Sequence, residues 1–346
     1  MSHQYPISDR LSYWLDHMPA IGIGCAVTCG ENVFSYAVGQ ADREQSAPLE
    51  KESAFNIASV GKLFTITAIF KLIESGKLRL DMPLEELLVN IPPQWNKVNI
   101  TQLLTHSSGI KNYTEMPDYW KECTVDVPRE RILEYVQALP LEFHPGTQWK
   151  YSNTGFFLLG LIIEAVSGKE YFDFVLNMIS HDNPKLRIFP TNDRKAIPGC
   201  STGYYLQNGT IEKAPYYSNA GTFSAGGFSA NLLDFMTFEK SLFSGCILGQ
   251  QSIEMISMPF KKQNGETLQS PEDIPHFQMT HGLFKFNRNE LSVLAHRGET
   301  VGFSSCYKRI PQRNMAVIVC ANTSGALQID QIADDILDIV SSQSQC

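Results

Sequence analysis

With 346 residues, the chain has room for about two structural lobes, and its 43% hydrophobic and 18% charged residues are typical of a globular protein. A formal net charge of −8 opposes phosphate backbones and anionic lipid, so no nucleic-acid partner is expected. No apolar stretch reaches the roughly 18 residues that a membrane-spanning helix needs, so no membrane span is expected either.

The start of the chain carries charged side chains and lacks the apolar core of a signal peptide. We therefore expect a cytoplasmic protein if Met1 is the native first residue, and a periplasmic or secreted one if a leader was removed. The 8 cysteines are scattered without a Cys-x-x-Cys pair, which favours buried free thiols. The 8 histidines show no His-Glu-x-x-His pattern, so neither a catalytic metal nor another cofactor is expected.

Short β-branched and aromatic segments lie at both ends of the chain. Near the N-terminus, residues 22–39 are typical of two strands around the turn Gly30-Glu31-Asn32. Near the C-terminus, an amphipathic helix is predicted from about Leu327 to Val340. Four strands separated by Asn, Gly and Pro turns are predicted before that helix, at 282–286, 292–296, 303–309 and 315–320.

The middle of the chain is mostly helical in pattern. Residues 59–75 are apolar almost all round, which predicts a buried helix followed by Gly76, and residues 154–167 predict another that ends at Gly168. The fold class is therefore predicted as α+β: one antiparallel sheet built from both termini with flanking helices, plus an inserted, mostly helical lobe. We assign residues 1–58 and 275–346 to the sheet lobe and 59–274 to the helical lobe with inserted loops, together forming one catalytic unit.

The pattern Ser-x-x-Lys occurs three times, as Ser59/Lys62, Ser108/Lys111 and Ser305/Lys308. On a helix, positions i and i+3 share a face, so an ammonium group can lie beside the hydroxyl. Only Ser59 opens a long apolar helix, where its hydroxyl would meet the positive end of the helix dipole. The third pair falls in a predicted strand, where i and i+3 point to opposite faces, and the second falls in a turn-like segment. The structural alternative for Ser59 is a helix N-cap.

Tyr-x-Asn occurs twice, beginning at Tyr151 and at Tyr217. The first directly precedes a predicted buried helix, which would hold Tyr151 and Asn153 in place. A phenol has an ordinary pKa near about 10, so Tyr151 needs a neighbouring cation such as Lys62 to become a useful base. The alternative for Tyr151 is a packed aromatic residue. A third element is His296-Arg297-Gly298, at the end of a predicted strand, where glycine allows close approach to a substrate.

Together these elements resemble the penicillin-binding protein and serine β-lactamase superfamily, in particular the branch with AmpC-type β-lactamases, D-alanyl-D-alanine carboxypeptidases and related esterases. The resemblance covers most of the chain. It is carried, in family order, by FNIASVGKLFT around Ser59, LLTHSSGI at 103–110, HPGTQWKYSNTGFFLLG at 144–160, SAGGFSANLLDF at 224–235 and HRGETVGFSS at 296–305.

The resemblance implies a role for each matching residue. Ser59 resembles the acylated nucleophile, Lys62 its proton partner, and Tyr151 the residue that acts as base and later as acid towards the leaving group. Substrate-binding positions are implied at Asn153, which resembles the contact to the substrate amide, and at His296, Arg297, Gly298 and Glu299. The backbone N–H groups of Ser59 and Glu299 would form the oxyanion hole.

Two departures from the family pattern bear on substrate choice. His296 stands where most true β-lactamases have Lys, and a histidine near its ordinary pKa is mostly neutral at neutral pH. Arg297 stands where a Thr is usual, and it either grips a substrate carboxylate or points outward and leaves a site for neutral esters. We therefore expect a serine hydrolase of the carboxypeptidase or esterase kind that acts on a small molecule or short peptide. β-Lactamase activity is the first alternative.

Two further interpretations stay open at this stage. A non-catalytic descendant would bind penicillin, cell-wall fragments or a regulatory partner with the same fold. The segment Gly199-Cys200-Ser201-Thr202-Gly203 matches the G-x-S-x-G nucleophile elbow, but that motif needs a strand before it and a helix after it, and an ordinary turn fits the sequence better. The sequence does not determine an oligomeric state.

Overall fold

The computed structural model describes residues 5–180, 186–191, 199–262, 264–268, 277–325 and 328–342. The α-helices are α1 (Tyr5–His17), α2 (Lys62–Glu74), α3 (Leu84–Leu87), α4 (Ile100–Leu104), α5 (Pro117–Glu122), α6 (Arg131–Glu134), α7 (Asn153–Ser167), α8 (Tyr171–Ser180), α9 (Phe223–Gly226), α10 (Leu232–Phe243), α11 (Gln250–Ser257) and α12 (Ile329–Ser342). The strands are β1 (Gly22–Cys29), β2 (Asn32–Asp42), β3 (Ala47–Pro48), β4 (Ala54–Asn56), β5 (Ile188–Pro190), β6 (Tyr204–Gln207), β7 (Thr210–Lys213), β8 (Phe228–Asn231), β9 (Gln278–Met279), β10 (Phe284–Arg288), β11 (Leu291–Thr300), β12 (Phe303–Ile310), β13 (Met315–Ala321) and β14 (Thr323–Ser324).

One eight-stranded sheet organises the molecule, in the order β3-β2-β1-β13-β12-β11-β10-β9. Its neighbouring strands pair antiparallel, and the N-terminal strand β1 lies against the C-terminal strand β13 with Cys25 opposite Val319. A sheet assembled from both ends of the chain, with helices around it, is the fold class that the sequence predicted, and that prediction is confirmed.

The two faces of this sheet carry separate hydrophobic cores. On one face, α1 and α12 pack against β1, β12 and β13, and α12 contributes fully buried side chains such as Ile332 and Ile336. On the other face, a larger core joins the sheet to α2, α7 and α10, with Phe64 and Phe156 completely buried. The apolar character of residues 59–75 and 154–167 on all sides follows from this burial.

Most predicted elements agree with the structure to within a few residues, with one difference at Ser59. The helix expected from Ser59 begins instead at Lys62, and Ser59 lies in a preceding 3-10 turn, Ala58–Gly61. Gly168 ends α7 in the left-handed conformation, with φ of 69°. The predicted start of the last helix at Leu327 lies outside the described residues, and α12 begins at Ile329.

The proposed lobe boundary at 274/275 also lies outside the described residues, so the division into lobes stays a prediction. Helix α10, from the middle of the chain, nevertheless packs on the sheet. Its Glu239 accepts hydrogen bonds from Tyr307 Oη at 2.8 Å and from Arg309 at 2.7 Å. Within the described residues, no helix combines the length and apolarity that crossing a membrane requires.

The cysteine expectation holds for several of the described positions. Cys25, Cys123, Cys306 and Cys320 are buried free thiols. Cys200 and Cys246 are free as well, but half-buried and exposed respectively. For Cys29 the expectation is wrong, because this residue is disulfide-bonded.

Candidate active site

Ser59 lies in a tight turn that the surrounding chain holds in an unusual shape. Ala58, directly before it, has a φ of 47°, a conformation that costs an L-residue about 1–2 kcal/mol. Asn56 stabilises this turn, because its side-chain oxygen accepts a hydrogen bond from the Ala58 N–H at 2.9 Å. Helix α2 has Gly61 as its N-cap without a side-chain hydrogen bond, so Ser59 does not serve as the helix N-cap.

Two glycines allow the neighbouring elements to approach the Ser59 turn. A Cβ on Gly298 of β11 would lie 2.9 Å from Ser59 N and 2.7 Å from the Ile57 carbonyl oxygen. A Cβ on Gly226, at the end of α9, would lie 2.6 Å from the Ala58 carbonyl oxygen. Any larger residue would push these segments apart, so the glycines set the position of the turn.

Lys62 is fully buried directly behind Ser59. Its Nζ lies 3.0 Å from Ser59 Oγ, 2.8 Å from Asn153 Oδ1 and 2.5 Å from the Ala225 carbonyl oxygen. Burial lowers the pKa of Lys62 well below its ordinary value, because the protein interior disfavours the charged ammonium. None of these three contacts carries a negative charge, so among the described hydrogen bonds of Lys62 no carboxylate restores the ammonium form.

Tyr151 completes a three-residue cluster around the serine hydroxyl. Its Oη donates to Ser59 Oγ at 3.0 Å. The sequence-based idea that Lys62 depresses the pKa of Tyr151 is wrong, because burial of the phenol raises that pKa and the hydrogen bond to Ser59 offsets it only in part. Helix α7 positions this segment, since Ser152 is its N-cap and accepts from the Gly155 N–H at 3.4 Å.

The ring of His106 packs against the ring of Tyr151, a contact that the sequence did not predict. The two rings lie 4.4 Å apart between centroids, and His106 Nδ1 accepts from the Ser152 N–H at 3.2 Å. Burial lowers the pKa of His106 well below its ordinary value, so the imidazole is neutral. The signal was present in the segment LLTHSSGI, which was matched to the family without a role for its histidine.

Strand β11 brings His296 and Gly298 to the same face, towards Ser59. Burial, with Lys62 nearby, lowers the pKa of His296 to about 3, so this ring is neutral at physiological pH. Its Nδ1–H donates to the Arg297 carbonyl oxygen at 2.6 Å. β11 is an interior strand, but its pairing with β10 ends at Ala295, so its last five residues extend past β10 beside the Ser59 turn.

Arg297 does not lie with His296 and Gly298 beside Ser59, which corrects the prediction that Arg297 contacts the substrate. Side chains alternate along a strand, so Arg297 points to the opposite face from His296. There its side chain is 58% exposed and forms an ion pair with Asp330 of α12 at 2.8 Å. Glu299 lines the cleft beside Ser59, while its carboxylate accepts from the Gly325 N–H at 3.2 Å.

The competing sequence matches have structural roles. Ser305 Oγ donates to the Ile57 carbonyl oxygen at 2.7 Å, and Lys308 pairs with Asp334 at 2.7 Å on the other face of the sheet. Lys111 forms ion pairs with Glu115 and Glu142, away from its Ser108 partner in the pattern. Ser201 of the G-x-S-x-G match donates to the Ala54 carbonyl oxygen at 2.9 Å.

The second Tyr-x-Asn match places Tyr217 near Ser59, which the sequence did not predict. Tyr217 lines the same cleft of about 160 Å³ as Ser59 and Asn153. Tyr113, Tyr119 and Trp120 also line this cleft. Within the described residues, no three His, Cys, Asp or Glu side chains are grouped as metal ligands.

Comparison with known proteins agrees with this geometry. Residues 15–340 match the family model described as Beta-lactamase. The chain belongs to the Beta-lactamase family. The family match and the penicillin-binding relatives support the assignment of this chain as an enzyme of the serine hydrolase kind.

Two curated relatives illustrate the range of the Beta-lactamase family. The chain is 27% identical over 299 residues to the human mitochondrial serine beta-lactamase-like protein LACTB, in an alignment that covers 67% of this chain and 54% of the relative. It therefore spans about half the length of that protein. It is 26% identical over 331 residues to penicillin-binding protein 4* of Bacillus subtilis, covering 90% of this chain and 70% of the relative.

Solved structures share the fold along nearly the whole chain. A penicillin-binding protein from Bacillus halodurans has a TM-score of 0.81 at 25% identity and covers 99% of each chain. The D-amino acid amidase of Ochrobactrum anthropi SV3, in its complex with D-phenylalanine, has a TM-score of 0.83 at 20% identity, again over 99% of each chain. At that identity the likeness to the amidase concerns the fold alone.

Proposed function

We propose that the chain is a serine hydrolase that forms an acyl-enzyme on Ser59 and acts on uncharged esters or amides. The observation that carries this proposal is the contact of one serine hydroxyl with two proton-transfer groups, Lys62 Nζ and Tyr151 Oη, each at 3.0 Å. A serine is a weak nucleophile until a neighbouring base removes its proton, and this cluster supplies one.

The surroundings of Lys62 suit a neutral amine as that base. A neutral amine has two N–H donors and one lone pair, and two acceptors, Asn153 Oδ1 and the Ala225 carbonyl, occupy the donors. The lone pair is then left for the Ser59 hydroxyl. Burial lowers the pKa of Lys62, so the amine loses its proton more readily than an exposed lysine does, and in its neutral form it can accept the proton as Ser59 Oγ attacks the carbonyl carbon.

Tyr151 serves as the proton donor to the leaving group in this scheme. Its raised pKa keeps the phenol protonated, and its hydroxyl lies beside the atom that attacks. When the carbon–oxygen or carbon–nitrogen bond breaks, Tyr151 gives its proton to the departing atom. The proton held by Lys62 then restores the phenol, so that the serine proton is transferred to the leaving group overall. Water then releases the acyl group from Ser59 by the reverse sequence of proton transfers.

The backbone around Ser59 offers a place for the negative oxygen of the tetrahedral intermediate. We assign the N–H groups of Ser59 and Glu299 to this oxyanion hole. In support, Gly298 lets β11 lie directly against Ser59, and both Ser59 and Glu299 line the same cleft.

Charge favours uncharged substrates over those with a carboxylate. His296 is neutral, Arg297 pairs with Asp330 on the far face, and none of the described residues lining the cleft is Lys, Arg or His. A D-Ala-D-Ala peptide and a penicillin both carry a carboxylate, for which the described residues lining this cleft supply no cation. Esters and amides without a carboxylate need no such contact.

A non-catalytic binding protein is the alternative of another class, and one experiment separates it from the hydrolase. Purified protein is treated with a fluorophosphonate probe and, separately, assayed with p-nitrophenyl acetate, nitrocefin and a D-Ala-D-Ala peptide. We expect a single covalent adduct by intact mass, ester turnover, and much slower reaction with the two carboxylate substrates. Ser59→Ala should lose both the adduct and the turnover. A wild-type protein with no adduct and no turnover would support the binding protein, and turnover that survives Ser59→Ala would remove Ser59 from the mechanism.

A further inference from the structure

Helix α9 is a single short turn in a strained conformation directly beside Lys62. Phe223, its first residue, has a φ of 25°, a backbone conformation that a bulky residue rarely adopts. The same turn carries the Ala225 carbonyl oxygen, which accepts from Lys62 Nζ at 2.5 Å. Backbone strain persists only where the surrounding structure holds it in place. The contacts that hold α9 therefore also decide where the Ala225 carbonyl lies.

Thr65 of α2 binds the carbonyl next to that of Ala225. Lys62 and Thr65 are three residues apart on the helix, so their side chains lie on the same face. Thr65 Oγ1 donates to the Ser224 carbonyl oxygen at 2.6 Å, while Lys62 Nζ donates to the Ala225 carbonyl oxygen. Two successive carbonyls of α9 are thus bound by two side chains of α2.

Tyr171 of α8 extends this contact into a chain of hydrogen bonds. A threonine hydroxyl has one proton, and Thr65 gives it to the Ser224 carbonyl, so Tyr171 Oη must be the donor in its 2.7 Å contact with Thr65 Oγ1. Burial raises the pKa of Tyr171, so the phenol keeps the proton that this contact needs. All three residues are completely buried. We call them the Tyr171–Thr65–Ser224 chain.

The opposite side of α9 packs against other parts of the molecule. Ser224 Oγ donates to the Phe156 carbonyl oxygen of α7 at 2.9 Å. The guanidinium group of Arg129 lies 4.6 Å from the centroid of the Phe223 ring, and Arg129 pairs with Glu164 of α7 at 2.8 Å. These contacts support α9 as a whole, whereas the Tyr171–Thr65–Ser224 chain acts on the side that faces Lys62.

We propose that Thr65 and Tyr171 are positioning residues for Lys62, because they hold the Ala225 carbonyl against Nζ and so direct the lone pair of the amine towards Ser59. This inference rests on the proposed function of Ser59 and Lys62. If α9 moves away, the amine loses one of its two fixed acceptors and can rotate. Its lone pair then points to Ser59 Oγ for only part of the time, and the rate of proton transfer falls.

The same contact affects the protonation of Lys62. Among the described residues, the titratable side chains that face Lys62 are Tyr151, whose ring centroid lies 5.1 Å from Nζ, and the neutral His106 and His296. None of them supplies a negative charge, because burial also keeps the Tyr151 phenol protonated. An acceptor beside an ammonium group favours the charged form, so loss of the Ala225 contact should lower the pKa of Lys62 further.

The test removes the hydroxyl of Thr65 and then restores it. Thr65→Val keeps the shape of the side chain without a donor, and kcat/KM for p-nitrophenyl acetate is measured from pH 5 to 10. We expect the plateau to fall about 10-fold and the rising limb to move at least about half a pH unit to lower pH. Thr65→Ser should restore both towards wild type. Tyr171→Phe should show smaller changes in the same direction, because Thr65 can still donate to Ser224.

Thr67→Val is the matched control for Thr65→Val. Thr67 is equally buried on the same helix, but its hydroxyl donates to the Leu63 carbonyl oxygen of α2 itself at 2.7 Å. This variant should keep the wild-type plateau and limb. A folded Thr65→Val protein with an unchanged profile would overturn the proposal. So would a lower plateau with an unmoved limb, because a general loss of packing does not require a change in the pKa of Lys62.

The pKa of Lys62 can also be measured without turnover. In protein labelled with [ε-13C]lysine, the Lys62 resonance is identified by its absence from Lys62→Arg, and its chemical shift is followed between about pH 4 and 11. We expect a lower pKa in Thr65→Val than in wild type and Thr67→Val, and an equal or higher pKa would overturn the proposal. Failure of the proposed function is recognised separately, by turnover that persists in Ser59→Ala.

Discussion

At the scale of single residues, burial determines which group can accept the proton of Ser59. Desolvation favours the neutral form of every titratable group, so it lowers the pKa of Lys62 and raises that of Tyr151. Burial therefore favours a neutral amine and a neutral phenol, and a neutral amine is the stronger base of the two. His106 and His296 are also neutral, and so they do not compete for protons at physiological pH.

This assignment predicts the shape of the pH–rate profile. In the proposed mechanism the unprotonated amine is the base, so kcat/KM should rise with pH through the pKa of Lys62, at a pH well below the ordinary pKa of a lysine. With an alkyl ester, whose alkoxide leaving group needs a proton, Tyr151→Phe should lower kcat/KM about 100-fold or more because it removes the proton donor, but the rising limb should stay at the same pH. The measurement is kcat/KM from pH 5 to 10, corrected for spontaneous hydrolysis, with ethyl acetate for the effect of Tyr151→Phe and with p-nitrophenyl acetate for the position of the limb.

His296→Asn is the matched control for this profile. With a pKa of about 3, His296 is deprotonated throughout the measured range, so the substitution should not move the limb even if it lowers the rate. A limb that disappears in Tyr151→Phe would assign the titration to the phenol. A limb that disappears in His296→Asn would assign it to the imidazole.

At the scale of elements, the site depends on how closely β11 approaches the Ser59 turn. A methyl group on Gly298 would lie 2.4 Å from Ser305 Oγ and 2.7 Å from the Ile57 carbonyl oxygen. The serine side chain can rotate away, but the backbone carbonyl cannot, so the strand and the turn must separate. A displacement of about 1 Å in an active site can cost on the order of 100-fold in rate.

Gly298→Ala is therefore expected to lower kcat/KM about 100-fold while the protein stays folded. Gly249→Ala is the matched control, because this glycine has an ordinary φ of −70° and would meet only the flexible Glu74 side chain, at 3.3 Å. Ester hydrolysis and the far-ultraviolet circular dichroism spectrum are measured for both. Full activity in Gly298→Ala would show that the close approach of β11 is not needed.

Periodicity and turn residues predicted the elements well, because burial on one face or on all sides leaves a pattern in the sequence. The strands near both termini and the buried helices α2 and α7 were recognisable in this way. Long-range contacts leave no such pattern. The position of His106 behind Tyr151 and of Tyr217 beside Ser59 depends on how distant segments pack, as does the outward direction of Arg297.

At the scale of the whole molecule, the sheet separates the candidate active site from one of the two hydrophobic cores. His296 and Gly298 face Ser59, whereas α1 and α12 cover the opposite face. The two terminal helices are joined there by Arg10 Nε and Trp14 Nε1, which both donate to Asp335 at 2.7 Å. Substitutions in this second core should therefore change stability without changing the geometry around Ser59.

Ile336→Ala tests this separation. Ile336 is completely buried between α12 and the sheet, and truncation of such a side chain costs about 2–5 kcal/mol of unfolding free energy. Ile339→Ala, in the same helix but only partly buried, should cost clearly less. Urea unfolding gives the stability of each variant, and kcat is measured at a temperature where all are folded. Among the described salt bridges, only the exposed Asp330–Arg297 pair joins α12 to β11. An exposed ion pair contributes little, so kcat should stay within about twofold of wild type. A folded Ile336→Ala protein with a much lower kcat would mean that packing on the far face also positions Ser59 and Lys62.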